Sequence, residues 1–211
     1  MICYLIGAGE APGCPPRPAA GDLVIAADAG LTLAHTLGLT PALTVGDFDS
    51  LGHLPTGGDV LRLPVEKDDT DMEAALKIGR ERGYHTFYLF GGTGGRPDHT
   101  YANYQLLADC AARREQAILF GAEFCATAIA DGARLTFPPE ARGTLSVFSA
   151  LGTAEGVSER GVYYPLSGAT LTGTFPLGVS NHFLPGESAE ISVGRGTLLV
   201  FFEGNILPRF S

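Results

Sequence analysis

The sequence has no tryptophan, and only two of its 14 basic residues are lysines. Acidic residues outnumber basic ones by 23 to 14, which gives the 211-residue chain a formal net charge of −9. A negative field of this size repels nucleic-acid backbones, so we expect no nucleic-acid partner. Hydrophobic residues make up 45% of the chain, which excludes the composition of a disordered protein.

Long apolar runs are also missing. No segment approaches the roughly 18 uninterrupted apolar residues that a membrane-spanning helix needs. The first residues, MICYLIGAGE, lack the basic region of a secretory signal. The four cysteines form no Cys-x-x-Cys pair and no zinc-like spacing with histidines. We therefore expect a cytoplasmic protein with reduced thiols and no membrane partner.

Short apolar segments alternate with helical patterns over the first 128 residues. The predicted strands are 2–6, 23–27, 43–45, 60–63, 86–90 and 117–120. The predicted helices lie near 31–37, 70–82 and 98–113. This alternation predicts a parallel sheet with right-handed crossovers, and hence a Rossmann-like α/β domain over residues 1–128.

The character of the chain changes near Asp131, after which no aspartate and no lysine follow. Short β-rich segments separated by glycine and proline are predicted at 134–137, 144–148, 161–164, 169–171, 190–193 and 197–202. This spacing is typical of a small all-β sandwich. We place the boundary between about residues 126 and 133, so the predicted second domain is 129–211.

Aspartates are concentrated in the α/β half, where eight of the 11 fall between residues 28 and 98. Asp28 ends a predicted strand, Asp47 follows another, and Asp98 follows a third across a glycine loop. The carboxyl ends of parallel strands form one edge, which is where open α/β sheets bind ligands. The sequence therefore predicts a single site at this edge.

Asp47 and Asp49 form an Asp-x-Asp pair whose carboxylates project to the same side of an extended segment. Two carboxylates about 4 Å apart repel by roughly 1–4 kcal/mol unless a cation lies between them. A divalent metal would remove this repulsion. The alternative is a turn stabilised by Asx-type hydrogen bonds.

A second acidic group follows at residues 66–71, with the sequence EKDDTD. Thr70 and Glu73 form a capping box at the start of a helix, which places Asp71 in the first turn. Helix capping accounts for part of this pattern. The adjacent Lys67 also suits a phosphate oxygen, so a ligand-binding role stays open.

The third pattern is GGTGGRPDH at residues 91–99, between a predicted strand and the next helix. Glycines let backbone amides approach phosphates, and Arg96 can bind an anion with two parallel hydrogen bonds. A glycine-rich loop with a surface arginine is the alternative. The chain has no Gly-Lys-Ser/Thr, and GAGEAP fails the dinucleotide-binding pattern because Pro12 replaces its third glycine.

Taken together, ADAG, GDFDS, KDDTD, GGTGGRPDH and GVSNHF resemble the motifs of thiamine pyrophosphokinases of the compact bacterial type. The motifs occur in order over roughly residues 1–203. The resemblance implies an α/β catalytic domain, a β-sandwich domain and a homodimer with shared active sites. It also implies magnesium-dependent transfer of the pyrophosphoryl group of ATP to thiamine, giving thiamine diphosphate and AMP.

The resemblance assigns roles residue by residue. The implied magnesium ligands are Asp47, Asp49 and Asp71. The implied nucleotide-binding residues are Asp28, Lys67, Asp68, Thr70, Gly92, Gly94, Gly95 and Arg96. The implied catalytic residues are Asp71, Asp98 and Arg96, and either aspartate could accept the proton of the alcohol. The implied thiamine-binding residues are Tyr164, Ser180 and Asn181, with Tyr164 in the place of a stacking tryptophan.

Three alternatives remain at this point. One is a related pyrophosphokinase that acts on another alcohol, such as a hydroxymethyl pterin. Another is a glycosyltransferase that uses the Asp-x-Asp pair to bind a metal and a nucleotide sugar. The third is a sensor that binds nucleotide or thiamine without catalysis.

Overall fold

The computed structural model describes residues 1–48, 59–64, 69–204 and 206–211. The chain forms two compact units. The first comprises Met1–Asn103 and Leu119–Ala122, and the second comprises Tyr104–Ile118 and Glu123–Ser211. A division into domains at residue 128 stays a prediction. Within the described ranges, no helix combines the length and the apolar character needed to span a bilayer.

The first unit is built on parallel strands, as the sequence predicts. They are β1 (Cys3–Ile6), β2 (Leu23–Ala27), β3 (Leu43–Gly46), β4 (Asp59–Arg62) and β5 (Thr86–Phe90). Their order is β5-β1-β2-β3-β4, and every pair in this series is parallel. Strands β1, β2 and β3 are buried throughout, which explains why they are continuously apolar or small.

Three helices lie close to their predicted positions: α1 (Gly30–Thr36), α2 (Asp71–Glu81) and α3 (Pro97–Ala112). The prediction that Thr70 caps α2 is confirmed, because the Thr70 hydroxyl accepts a hydrogen bond from the Glu73 amide at 3.2 Å. Its buried face includes Met72 and Leu76. Pro97 begins α3, where its missing amide hydrogen costs nothing.

The remaining strands are β6 (Gln116–Phe120), β7 (Phe124–Ala130), β8 (Arg134–Phe137), β9 (Thr144–Ser149), β10 (Thr153–Arg160), β11 (Leu166–Thr172), β12 (Gly178–His182), β13 (Ala189–Ser192), β14 (Thr197–Glu203) and β15 (Arg209–Phe210). Strand β6 contributes residues to both units. The second unit contains two antiparallel series, β12-β9-β14-β7 and β11-β10-β13-β8-β15. The rings of Phe137 in β8 and Phe202 in β14 are 5.1 Å apart, so side chains from both series share a core.

Two fold predictions need correction. The sheet that carries the parallel strands is mixed rather than parallel throughout, so the Rossmann-like description is not confirmed. The strand predicted at 161–164 is wrong, because this segment consists of bends with one isolated bridge at Val162. Gly161 takes a left-handed φ of 69°, and the side chain of Asn181 bonds the backbone of Tyr164.

The four cysteines, all in the described part of the chain, form no disulfide with one another. Cys3, Cys110 and Cys125 are buried, whereas Cys14 is partly exposed. Burial raises the pKa of the Cys3 thiol to about 12. The buried cysteines therefore serve as small apolar core residues.

Candidate active site

A cleft of about 500 Å³ opens in the first unit, where several parallel strands end. Its lining includes seven of the residues implied by the sequence: Asp28, Asp47, Thr70, Asp71, Gly92, Gly95 and Arg96. The structure thus brings three of the aspartates, which follow or begin different elements of the chain, to a single cleft.

The floor of the cleft consists of two interlocking glycine loops, one after β1 and one after β5. The amide of Gly7 donates to Phe90 O at 2.7 Å, and the amide of Gly9 donates to Gly91 O at 2.7 Å. The Glu10 amide continues this series to Thr93 O at 2.8 Å. The loop after β1 thus satisfies backbone carbonyl groups of the loop after β5.

The close approach of these loops requires glycine. A β-carbon on Gly7 would lie 2.7 Å from Gly91 O, and one on Gly9 would overlap Thr93 O. Gly91 also has a left-handed φ of 63°. Without β-carbons, the loops leave room for a bulky anion to approach the backbone.

Gly7 and Gly9 are site residues that sequence reasoning missed. The GAGEAP segment fails the dinucleotide pattern, but its Gly-x-Gly directly after a buried strand is itself a signal of close backbone approach. Asn103 is a second omission. Its buried amide donates to Gly92 O at 2.8 Å and so fixes the second loop from within α3.

Asp28 occupies an unusual position at the end of β2. Its φ is 45°, a left-handed conformation, and its amide donates to Val45 O at 2.7 Å. The residue is 9% exposed, and its Oδ1 is buried with no hydrogen-bond partner among the described residues. An ionised oxygen in that position is costly unless a cation or a ligand donor compensates it.

Asp47 and Asp71 approach the same cleft from other elements, one following β3 and the other beginning α2. Within the described ranges, no three His, Cys, Asp or Glu side chains form a ready metal-binding group. The remaining implied ligand, Asp49, lies outside those ranges, as do Lys67 and Asp68. The oxygen donors that line the cleft are of the kind that Mg²⁺ prefers.

Arg96 and Asp98 form a bidentate ion pair at the rim of the cleft. Arg96 Nη2 lies 2.6 Å from Asp98 Oδ2, and its Nε donates to Oδ1 at 3.2 Å. This hydrogen-bonded guanidinium lowers the pKa of Asp98 to about 2. Arg96 lines the cleft, whereas Asp98 and Gly94 are not among its lining residues.

A separate groove of about 480 Å³ lies in the second unit. It is lined by Arg142, Gly143, Tyr163, Tyr164, His182, Phe183 and Pro185. Tyr163 and Tyr164 are 58% and 69% exposed, so their rings offer apolar faces to a ligand. Of the three implied thiamine-binding residues, Tyr164 alone lines this groove.

The other two implied residues, Ser180 and Asn181, lie on β12. Ser180 is exposed, has a left-handed φ of 59°, and donates its amide hydrogen to Ser146 Oγ at 3.0 Å. Asn181 is only 4% exposed, and its side-chain amide makes four hydrogen bonds within the protein. Asn181 does not line the groove, but its side chain holds the backbone of Tyr164, which does.

Parallel strands with a cleft at their carboxyl edge, lined by glycine loops and three aspartates, define an α/β protein with the arrangement at which open sheets bind ligands. Two family models match the chain. The one described as "Thiamin pyrophosphokinase, catalytic domain" matches residues 19–120, and the one described as "Thiamin pyrophosphokinase, vitamin B1 binding domain" matches residues 134–198. The chain belongs to the thiamin pyrophosphokinase family.

Individual relatives are consistent with this assignment. A curated thiamine pyrophosphokinase of Bacillus subtilis (strain 168) is 35% identical over 91 residues, which span 40% of this chain and 42% of that protein. The crystal structure of thiamine pyrophosphokinase from Bacillus subtilis has a TM-score of 0.85 at 23% identity, covering 98% of this chain and 100% of that one. The crystal structure of thiamin pyrophosphokinase from Geobacillus thermodenitrificans has a TM-score of 0.81 at 25% identity, covering 97% of this chain and 98% of that one.

Proposed function

We propose that this protein transfers the pyrophosphoryl group of ATP to the hydroxyl of thiamine, giving thiamine diphosphate and AMP. The observation that carries this proposal is the match of both family models, in order, to the two parts of the chain. The first unit supplies a cleft suited to phosphates, and the second supplies an aromatic groove. No observation favours a pterin substrate, a sugar nucleotide or a purely sensory role.

The triphosphate of ATP is proposed to lie on the interlocked glycine loops. Gly92, Gly95 and Thr70 line this part of the cleft, and Arg96 stands at its rim, where it can exchange Asp98 for a phosphate as its partner. Exchange of a carboxylate for a phosphate keeps the charge of Arg96 paired on binding. Lys67, Asp68 and Gly94 remain predicted contacts.

Magnesium is proposed to bind Asp47, Asp49 and Asp71, with Asp28 beside them. The unpartnered Oδ1 of Asp28 supports this, because a buried carboxylate oxygen in an acidic cleft favours a nearby cation. When bound, the ion neutralises charge on the transferred phosphates. Without such a cation, the carboxylates of the cleft would repel the negatively charged triphosphate of ATP.

The proposed chemical step is in-line attack by the thiamine hydroxyl oxygen on the β-phosphorus. The new O–P bond forms as the bond from the β-phosphorus to the α,β-bridging oxygen breaks, and AMP leaves. The hydroxyl proton needs an acceptor. Asp71 and Asp98 are the candidates, and we assign this role to Asp71 because it lines the cleft and Asp98 does not.

Thiamine is proposed to stack on the exposed ring of Tyr164, with Ser180 nearby on β12 and Asn181 beneath. A flat cationic ligand gains from an aromatic face through both stacking and cation–π attraction. A homodimer with shared active sites and a cytoplasmic location are further proposals. Both of these depend on the family resemblance alone.

The direct test incubates the purified protein with thiamine, ATP and magnesium and identifies the products by mass spectrometry. AMP and thiamine diphosphate in equal amounts are expected. ADP with thiamine monophosphate would refute pyrophosphoryl transfer. A parallel reaction with a hydroxymethyl pterin in place of thiamine should give no AMP above the rate without an acceptor.

A further inference from the structure

The second unit contains a buried carboxyl group that the proposed reaction does not use. Glu159, in β10, is 1% exposed, and its Oε2 accepts a hydrogen bond from Asn181 Nδ2 at 3.0 Å. Its Oε1 is buried with no hydrogen-bond partner in the described part of the chain. Burial raises the pKa of this carboxyl group to about 7.

Apolar packing alone does not favour a glutamate here. Its neighbours across the strand pairings are Leu166 and the buried Ile191. A leucine of similar volume would fill the same space without burying an unpaired oxygen, but it would leave one hydrogen of Asn181 Nδ2 without its acceptor. The carboxyl group therefore calls for an explanation other than packing.

The explanation lies in what Asn181, the hydrogen-bond partner of Glu159, does with its remaining hydrogen bonds. Asn181 Nδ2 donates its second hydrogen bond to Tyr164 O at 2.9 Å, while Oδ1 accepts from the Tyr164 amide at 3.0 Å. Oδ1 also accepts from the His182 amide at 2.9 Å. One side chain thus binds both backbone groups of Tyr164, in a segment that has no regular strand pairing.

The orientation of the Asn181 amide decides whether these bonds can form. An amide rotated by 180° would place its NH₂ group against two N–H donors. The Oε2 of Glu159 is an acceptor whether or not Oε1 carries a proton, so it holds the NH₂ end toward itself and the oxygen toward the two backbone amides. Glu159, together with the Tyr164 carbonyl group, therefore selects the orientation that fixes Tyr164.

We propose that Glu159 is a positioning residue of the second-unit groove, which acts through Asn181 to fix the backbone, and with it the ring, of Tyr164. The proposal rests on the proposed function only for the identity of the ligand that stacks on that ring. Glu159 itself is too deeply buried to touch a ligand.

Two variants of Glu159 separate hydrogen bonding from packing. Glu159→Leu keeps the bulk and removes the acceptor, whereas Glu159→Gln keeps an acceptor oxygen. We expect amide hydrogen exchange at Tyr164 to accelerate at least about tenfold in Glu159→Leu and less than about threefold in Glu159→Gln. We also expect the KM for thiamine to rise about tenfold in the leucine variant, with kcat and the KM for ATP within about twofold of wild type.

Val157→Ala is the matched control, because Val157 is a fully buried residue of the same strand with no part in this network. It should lower the melting temperature without changing exchange at Tyr164 or the KM for thiamine. Equal effects of Val157→Ala and Glu159→Leu would overturn the proposal, and so would unchanged exchange in Glu159→Leu. If Glu159→Leu does not fold, Glu159→Met, which also removes the acceptor, is measured in its place, with the same accelerated exchange expected.

The exchange measurement keeps this proposal separate from the proposed function. A wild-type protein that forms no AMP from thiamine and ATP would refute the function. Protection of the Tyr164 amide, and its loss in Glu159→Leu, would still decide whether Glu159 positions this residue.

Discussion

Gly9 and Thr93 meet so closely at the floor of the cleft that a β-carbon on Gly9 would overlap the Thr93 carbonyl oxygen. The contact is between backbones, so no side chain can move aside to relieve it. We expect Gly9→Ala to lower the free energy of unfolding by about 1–3 kcal/mol. Because the glycine loops would separate, the KM for ATP should also rise at least about tenfold.

Gly173→Ala is the control for that prediction, because a β-carbon there would make only ordinary contacts, the nearest at 3.6 Å. Urea unfolding and ATP-dependent kinetics measure both variants. A Gly9→Ala protein with wild-type stability and ATP kinetics would contradict the prediction, because the close contact between the two loops would then matter for neither property.

Asp28 should show opposite effects on stability and activity. Asp28→Asn replaces a buried carboxyl group that has an unpartnered oxygen by a neutral amide, so the melting temperature should stay the same or rise. Turnover should fall at least about a hundredfold, as it should for Asp71→Asn, because the cleft loses a carboxylate that favours the cation. Manganese binding followed by electron paramagnetic resonance should weaken in parallel.

Asp109→Asn is the control for these variants, since Asp109 in α3 forms a solvent-exposed ion pair with Arg113, just beyond the end of that helix. Its turnover and manganese affinity should match those of the wild type. Near-normal turnover in Asp28→Asn and Asp71→Asn would contradict the proposed magnesium site.

The pair of Arg96 and Asp98 leads to a third prediction. If Asp98 holds Arg96 rather than accepting the proton, Asp98→Asn should raise the KM for ATP by no more than about tenfold and leave kcat nearly unchanged. The kcat–pH profile from about pH 5 to 9 should keep its shape, because in this role Asp98 takes up no proton during the reaction. A loss of kcat beyond about a hundredfold would restore Asp98 as the base.

Tyr164 offers a test of ligand stacking. Tyr164→Ala should raise the KM for thiamine at least about tenfold, given roughly 1–3 kcal/mol for stacking on an aromatic ring. Tyr164→Phe keeps the ring and should stay within about threefold of wild type. Phe124→Ala, which also removes an exposed ring, should have no effect on thiamine kinetics.

Glu159 predicts a pH dependence of stability. The pKa of Glu159 in the folded protein is about 7, above its ordinary value of 4.5, so the folded state binds the proton more tightly than the unfolded state. The associated stabilisation is complete below about pH 4.5 and is lost as the pH rises through 7. Urea unfolding measures this effect. Between about pH 5 and about pH 8, the free energy of unfolding should fall more for wild type than for Glu159→Gln.

The pH comparison between the two proteins removes the contributions of all other titrating groups. An equal decrease in wild type and Glu159→Gln would mean that the carboxyl group titrates normally in the folded state.

The parts of the fold that were predictable carry local signals. The capping residues Thr70 and Glu73 locate the start of α2, and buried apolar runs locate β1, β2 and β5. The convergence of Asp28 and Asp47 follows from a general property of parallel sheets, namely that their carboxyl ends meet. These features need no knowledge of distant contacts.

The features that were missed depend on contacts between distant segments. Nothing local to Gly9 indicates that Thr93 will lie against it, and nothing local to Tyr164 indicates that an asparagine 17 residues later will bind its backbone. The apolar run at 161–164 is therefore typical of a strand by its local pattern alone. The exposed positions of Tyr163 and Tyr164 result from the absence of that strand, since bends rather than a sheet present them.

The placement of the four cysteines has a practical consequence for spectroscopy. Three thiols are enclosed in the core, so a maleimide dye should attach to Cys14 in preference to the others. The neighbouring Gly13 amide donates to Gly121 O at 2.9 Å, which anchors this stretch of chain next to the end of β6. A fluorophore on Cys14 would thus sit on a hydrogen-bonded segment that continues directly from the loop of Gly7 and Gly9, with no need for an engineered labelling position.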